Sequence, residues 1–211
     1  MIKADESAFE LSSYCMEEIE PMLPLLETWL KRGFGQYPYL WRPPEEEKIS
    51  PGNHTLLSEK NAIVTCVKKG DQVVAVAGGI AVDSALLQLL GNTVVEEMKK
   101  QHFDPSQMIY MMYFLTAPEY LNEPKLVELV YNHYSNFAFQ MGKSQLCFFE
   151  YFGQDDHPLK PEYPTPIEPW GHAITGYRNM NLKVEQSWPT LQPDGSVLHE
   201  AHQVEFFVKD F

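Results

Sequence analysis

One stretch, residues 107–142, constrains the fold of this chain more than any other. It opens with the apolar and aromatic run QMIYMMYFLTA, which is rich in strand-forming residues and too short to span a membrane, so it predicts a buried strand. A loop, PEYLNEP, leads into KLVELVYNHYSNFAFQMG, which predicts a helix. Because a strand that runs straight into a helix N-terminus places backbone N–H groups in a cleft, this stretch favours an anion-binding site.

The helix of this stretch carries one apolar stripe at helical spacing. The stripe consists of Leu126, Val127, Val130, Tyr134, Phe137 and Met141. Asn122 or Glu123 can cap the start of the helix, and Pro124 would then lie in the first turn, where a missing N–H costs little. Gly142 lies where a left-handed residue is expected to end the helix.

Patterns elsewhere in the chain predict the remaining elements. Helices are predicted over 17–31, 84–100 and 170–180, and strands over 61–67, 72–82, 144–152, 182–188 and 197–208. The strand over 144–152 should run parallel to the strand of the central stretch, because a helix connects the two. Gly78 and Gly79 predict either a bulge within their strand or a close approach of the backbone. The acidic run 45–47 predicts the start of a solvated helix.

Composition limits the classes of protein that fit. The chain has 211 residues, of which 44% are hydrophobic, and a formal net charge of −13, so we expect one folded domain with an acidic surface. The negative charge argues against nucleic acid and anionic membranes as partners, and it would attract a cationic substrate such as an amine. Three widely spaced cysteines predict reduced thiols in a cytoplasmic protein. The histidines lack the spacing of a zinc site, so we expect no metal.

A family resemblance enters at Pro118-Glu119-Tyr120, which follows the hydrophobic strand. This triplet is similar to the start of the loop with which the GCN5-related N-acetyltransferases (GNAT) hold the pyrophosphate of acetyl coenzyme A. The segments YPYLW at 37–41 and DHPLKP at 156–161 resemble segments of one branch of that family. The resemblance covers nearly the whole chain and implies a single mixed α/β domain over 1–211. Its core would be a twisted, mostly antiparallel sheet with one parallel strand pair and helices on both faces.

The resemblance also implies a cofactor-binding segment for acetyl-CoA. It would consist of Leu115, Thr116, Ala117, Leu121, Asn122, Glu123, Pro124, Lys125 and Leu126. The family's arginine aligns with Leu121, and its two later signature glycines align with Pro124 and Leu126. Pro124 removes a donor, Leu126 adds bulk and Glu123 adds negative charge, whereas Lys125 compensates in part. We therefore expect the affinity for acetyl-CoA to be reduced or lost.

Three residues are candidates for proton transfer in the implied reaction. A glutamate of the resembling branch aligns with Tyr113, which is a poor base, and Glu150 at the end of the next strand is the substitute that we nominate. Tyr177 has the spacing of the tyrosine in the family's last helix that returns a proton to the departing thiolate. Backbone N–H groups of 115–117 would polarise the thioester carbonyl.

The acceptor side would be formed by the two other resembling segments. Tyr39 and Trp41 belong to the first segment, and Asp156 and His157 belong to the second. The sequence thus favours an acetyl-CoA-dependent N-acetyltransferase acting on a small amine. The altered loop and Tyr113 favour an alternative, a catalytically inactive GNAT-fold protein that binds a ligand or partner through the same cleft. A homodimer is also left open.

Overall fold

The computed structural model of the chain describes residues 9–82, 92–121, 123–151, 158–159 and 176–211. Seven strands occur in these ranges: β1 (Phe9–Tyr14), β2 (Ala62–Lys69), β3 (Gln72–Ala81), β4 (Met108–Thr116), β5 (Gln145–Glu150), β6 (Arg178–Leu191) and β7 (Val197–Asp210). The α-helices in the same ranges are α1 (Leu23–Phe34), α2 (Pro51–Ser58), α3 (Asn92–Lys100) and α4 (Pro124–Gln140). Short 3₁₀ turns include Pro118–Tyr120, between β4 and α4.

The described strands form one mixed sheet in the order β1-β2-β3-β4-β5-β7-β6. All neighbours pair antiparallel except β4 and β5, which are parallel. The parallel pair follows from the α4 crossover between the two strands, as the sequence predicts. The predicted fold class, a mostly antiparallel sheet with one parallel pair, is confirmed.

Each face of the sheet is covered by helices, and each has its own hydrophobic core. On one face α4 packs through Leu126, Val127, Val130, Tyr134 and Ala138, which continue the predicted stripe. On the opposite face α1, α2 and α3 contribute Leu26, Leu30, Leu56 and Met98. Because both faces are buried, β2, β3 and β4 are apolar nearly throughout.

Several local predictions are confirmed by the backbone. The β3–β4 register shifts between Gly78 and Gly79, which is the predicted bulge. Gly142 follows α4 with a φ of 65°, a left-handed conformation that glycine adopts without steric cost. Glu123 is the N-cap of α4, and its side chain accepts a hydrogen bond from the Lys125 N–H. The three cysteines are free, with Cys66 and Cys147 buried in the cores.

Two predicted helices differ from the structure. The acidic run 45–47 lies before α2, which instead begins at Pro51 with Ser50 as its N-cap, because the Ser50 side chain accepts from the Asn53 N–H. The helix predicted over 170–180 is wrong at its end, since 178–180 belong to β6. Met180 and Leu182 are buried while their neighbours are exposed, so strand periodicity applies there. The rest of that prediction, 170–177, includes residues outside the described ranges.

Among the described residues, no helix is long and apolar enough to cross a membrane. The same residues include no group of three or more His, Cys, Asp or Glu side chains placed to hold a metal ion.

Candidate active site

The parallel strands β4 and β5 pair over only three residues. Met108, Ile109 and Tyr110 are in register with Gln145, Leu146 and Cys147, and beyond these pairs the strands diverge. A cleft opens in the gap, lined by 111–116 of β4 and 148–151 at the end of β5. The C-terminal part of α1, the turn after it and the loop before α4 complete the wall. The two strands are neighbours, as predicted, and an open cleft separates them beyond the paired residues.

The bulge in β3 and β4 accounts for the divergence. Gly78 faces Tyr113 and Gly79 faces Met111, so Met112 is an extra residue on β4, and such an insertion bends a strand. Both glycines are required by close aromatic packing. A Cβ on Gly78 would lie 2.6 Å from the Tyr113 ring, and a Cβ on Gly79 would lie 2.5 Å from the Tyr134 ring.

One end of the cleft combines a buried carboxylate with aromatic rings. Glu150, the last residue of β5, is only 4% exposed and lines the cleft. The Tyr39 and Tyr151 rings, also in the wall, lie 5.8 Å apart in an edge arrangement. Burial, with the Glu150 charge adding to it, raises the pKa of Tyr39, so this hydroxyl stays protonated at neutral pH. The chemistry of this end suits a cation that can also contact aromatic faces.

A second layer of aromatic residues holds this wall in place. The Trp188 and His202 rings stack 3.9 Å apart, and Tyr151 packs edge-on against both. The Trp188 indole N–H donates to the Tyr39 carbonyl at 2.9 Å. The β6–β7 hairpin therefore fixes the position of the aromatic rings that face the cleft.

Tyr113 lies at the position that carries a base in the resembling branch, but its surroundings argue against that role. Its hydroxyl donates to Asn53 Oδ1 at 3.1 Å. The Asn53 side chain in turn donates to Glu27 Oε1 at 2.7 Å, in a buried network between α1 and α2. Burial raises the pKa of Tyr113 well above its usual value, so the phenol is not a base at neutral pH.

Solved structures of acetyltransferases share this architecture. A probable acetyltransferase from Staphylococcus epidermidis superposes with a TM-score of 0.52 at 11% identity, with 96% of this chain and 99% of that chain covered. An acetyltransferase from Streptococcus agalactiae gives a TM-score of 0.54 at 12% identity, with 96% and 98% covered. The N-acyl amino acid synthase FeeM from uncultured soil microbes gives 0.54 at 8% identity, with 96% and 92% covered.

The chain has the GNAT fold. Its sequence matches no protein-family model and no curated protein. Because the identities to the solved structures are 12% or less, the likeness concerns the fold, and the chemistry of the cleft has to be argued from its own residues.

The loop before α4, which would hold a pyrophosphate in the GNAT fold, contributes Pro118, Tyr120, Leu121 and Glu123 to the cleft wall. The N–H groups of Ala117, Tyr120, Leu121, Glu123, Lys125, Leu126 and Val127 all donate hydrogen bonds within the chain. Pro124 has no N–H to offer. The Glu123 carboxylate takes the place of an anion at the start of α4, with its Oε1 at 3.3 Å from the Lys125 nitrogen. The described residues of this loop therefore do not fit the pyrophosphate of coenzyme A.

Two of the predicted loop residues, Lys125 and Leu126, are not part of the cleft wall. The sequence led us to expect that Leu126 adds bulk to the cofactor loop. Instead, Leu126 is fully buried in the core beneath α4 and does not enter the cleft. Lys125 is exposed and lies outside the described cleft wall. Leu121 and Glu123 do line the cleft. Compensation of the Glu123 charge by Lys125 thus has no support in the geometry.

Among the three backbone groups expected to polarise a carbonyl, one has a suitable direction. The Ala117 N–H donates to the Val74 carbonyl of β3 at 2.8 Å. Because successive N–H groups of a strand point to opposite sides, the Leu115 N–H also points toward β3, and the Thr116 N–H points toward the side from which β5 has diverged. Thr116 lines the cleft.

The other predicted site residues are distributed as follows. Tyr177 directly precedes β6 and is outside the cleft wall, but its ring contacts Phe148, a cleft residue, with centroids 6.5 Å apart. Trp41 is outside the described wall and pairs with Thr190 in an isolated β-bridge. Asn122, Asp156 and His157 lie outside the described residues.

Sequence reasoning missed several residues of the wall. One face of α1 meets the cleft through Trp29, Arg32 and Gly33. Their spacing of three and four residues places them on the same side of a helix, and this spacing could have identified them from the sequence. Arg32 is the single cationic side chain among the described residues of the wall, which also contains two carboxylates, Glu123 and Glu150. The wall therefore favours a cationic ligand over a polyanionic one.

Proposed function

We propose that this chain transfers an acyl group from a thioester to a small amine, and that the amine is held in the cleft beside Glu150. The shared fold with acetyltransferases supports acyl transfer at a general level. The observation that carries the proposal is the buried carboxylate of Glu150 at the end of β5, in a cleft whose wall also contains Tyr39 and Tyr151.

Deprotonation of the amine is the step for which a carboxylate is most useful. An alkylammonium has a pKa of roughly 10, so obtaining the neutral amine at pH 7 costs about 4 kcal/mol. A buried carboxylate attracts the ammonium ion and accepts the proton as the nitrogen attacks. The aromatic faces beside it contribute a further ~0.5–2 kcal/mol to the binding of a cation. Together these features favour an amine with an aromatic or alkyl body.

In the proposed reaction, groups in the cleft wall and the neighbouring Tyr177 are assigned to each atom that moves. The amine nitrogen forms a bond to the carbonyl carbon, and the carbon–sulfur bond breaks with its electron pair on sulfur. Glu150 takes the proton that nitrogen loses, and Tyr177 is the proposed source of the proton for the thiolate. The Thr116 N–H is the proposed donor to the carbonyl oxygen. The family implies acetyl-CoA as the thioester, but no residue here is assigned to its pyrophosphate.

The experiment follows thiol release from S-acetyl thioesters with phenethylamine, tyramine and putrescine as acceptors. We expect the wild-type chain to acetylate at least one of these amines, and Glu150→Gln to lower kcat/KM by about 10²–10⁴-fold, because it removes the base but keeps the shape. Glu205→Gln is the matched control. Glu205 faces Glu150 across the β5–β7 pair, but its carboxylate binds Lys183 and Asn179 instead.

We expect Glu205→Gln to leave the acetylation rate unchanged. Equal rates for Glu150→Gln and the wild type would remove Glu150 from the mechanism. Failure of the wild type to acetylate any amine, with either a nucleotide-bearing or a truncated thioester, would overturn the proposal of acyl transfer.

A second candidate function is favoured by the loop before α4, because its described N–H groups are mostly engaged in hydrogen bonds within the chain. A GNAT-fold protein that binds an amine without turnover needs the Glu150 end of the cleft and not the loop. In that case the three amines would raise the unfolding temperature and no thiol would be released. An amine at 100 times its dissociation constant adds about 2.7 kcal/mol to the free energy of unfolding, which is readily detected.

A further inference from the structure

We propose that the acyl donor is recognised without a nucleotide, and that it is a thioester of an uncharged pantetheine-type arm. This inference rests on the proposed acyl transfer and adds the class of donor. It follows from the loop before α4, most of whose described N–H groups already donate hydrogen bonds within the chain.

The loop before α4 offers few backbone N–H groups to a pyrophosphate. A pyrophosphate at a helix N-terminus needs backbone N–H groups that are not otherwise engaged. In the described part of this loop, the 3₁₀ turn Pro118–Tyr120 and the first turn of α4 engage most of these groups. The Leu121, Glu123 and Leu126 N–H groups each donate to a carbonyl within the loop. An incoming phosphate would have to displace bonds that the fold already makes.

The negative charge of Glu123 opposes the binding of a phosphate at the start of α4. The Glu123 side chain lines the cleft and accepts from the Lys125 N–H, so a carboxylate already occupies the position that favours an anion. A phosphate placed there would meet this negative charge directly. Arg32, the cation in the described wall, belongs to the last turn of α1 and not to this loop. The overall charge of −13 adds to the repulsion of a polyanion.

The cleft wall near this loop is largely apolar. Leu121, Val127 and Phe148 present apolar surface to the cleft near the loop. The Thr116 N–H is directed to the same gap through strand alternation. An uncharged chain that carries amide groups and ends in a thioester matches an apolar wall with an occasional backbone donor. A nucleotide diphosphate does not.

The test compares acetyl-CoA with S-acetyl-pantetheine, which carries the same thioester and arm without the nucleotide. Binding is measured by titration calorimetry without an acceptor, and turnover is measured by thiol release with the best of the three amines. We expect the two donors to give kcat/KM values within about threefold of each other, because remote groups that are not bound contribute nothing to the transition state.

Variants of two neighbouring glutamates test the cause. Glu123→Gln removes the charge that faces the cleft, and we expect the ratio of kcat/KM for acetyl-CoA over S-acetyl-pantetheine to rise about 5- to 10-fold, because a repulsive element against one donor is lost. Glu119→Gln removes the same charge from an exposed position outside the cleft wall. This control should keep the wild-type ratio.

The outcomes separate this inference from the proposed function. A preference for acetyl-CoA of about 30-fold or more in the wild type would overturn the inference while leaving acyl transfer intact. If Glu123→Gln left the ratio of the two kcat/KM values unchanged, Glu123 would not be the cause of the weak recognition of acetyl-CoA. That result would also count against the inference. If neither donor binds and neither reacts, the proposed acyl transfer itself fails.

Discussion

Tyr177 is the proposed source of the proton that the departing sulfur takes up. The Tyr177 ring packs on Phe207 with centroids 5.3 Å apart, and on Phe148, a residue of the cleft wall, with centroids 6.5 Å apart. The ring is thus held at the margin of the cleft by two contacts that do not involve its hydroxyl. A change that removes only the oxygen should leave the packing in place.

We expect Tyr177→Phe to lower kcat by about 10²-fold with little change in the KM for the thioester, since the departing thiolate loses its proton donor in the transition state only. Steady-state kinetics over a range of pH would measure the effect. Tyr131→Phe is the control, because Tyr131 donates its hydroxyl to the Asp210 carbonyl on the other side of α4. An unchanged kcat in Tyr177→Phe would mean that Tyr177 only packs.

Tyr113 and Glu150 illustrate what sequence can and cannot establish about single residues. The sequence nominated Glu150 as a base in place of Tyr113, because a carboxylate accepts a proton at neutral pH more readily than a phenol does. It could not identify the Asn53 partner of the Tyr113 hydroxyl or the burial of Glu150. Both depend on how α2 and the diverging strands are placed in space.

At the scale of elements, the bulge of β3 and β4 determines the shape of the cleft. Two adjacent glycines allow an aromatic ring to approach from each face of the sheet, Tyr113 on one side and Tyr134 on the other. Tyr134 is fully buried, and its hydroxyl donates to the Ile63 carbonyl at 3.3 Å. Its ring therefore has little freedom to retreat.

We expect Gly79→Ala to lower the free energy of unfolding by about 1–3 kcal/mol, because the new methyl group would meet the Tyr134 ring in a packed core. Urea unfolding would measure this change. Gly52→Ala in α2 is the matched control, since its Cβ would meet only Met112 at an ordinary 3.5 Å. The control should be neutral or stabilising by up to about 1 kcal/mol. Equal stabilities for both variants would contradict the packing argument.

Elements were predictable from sequence wherever periodicity and local signals agreed. The β4 run, the α4 stripe and the Glu123 cap are examples, because each depends on neighbours within one turn or one strand. The helix predicted over 170–180 failed at its end because Arg178 and Asn179 pair with Val208 and Phe207 of β7, a long-range contact that local periodicity does not reveal. The Trp188–His202 stack depends on the register of that same hairpin.

At the scale of the whole molecule, α4 connects strands across most of the sheet. Its residues bond to β1 through Ser13 and His133, to β2 through Tyr134, and to the end of β7 through Tyr131. The start of this helix forms one wall of the cleft, so these bonds also hold the cleft in shape. Sequence predicts the helix and its apolar face, but not the strands to which its polar side chains reach.

The Ser13–His133 contact makes the attachment of the edge strand β1 sensitive to pH. Ser13 Oγ lies 2.5 Å from His133 Nε2, and burial lowers the pKa of this histidine in the folded state. The unfolded chain, whose histidine keeps its ordinary pKa near ~6.5, therefore takes up the proton first as the pH falls. The contribution to stability is complete above that pH and is lost between it and the lower pKa of the folded state. We expect the free energy of unfolding of the wild type to fall more steeply than that of His133→Gln from pH 7.5 to 5, as measured by urea unfolding at each pH. Parallel curves for the two proteins would show that His133 does not link protonation to folding.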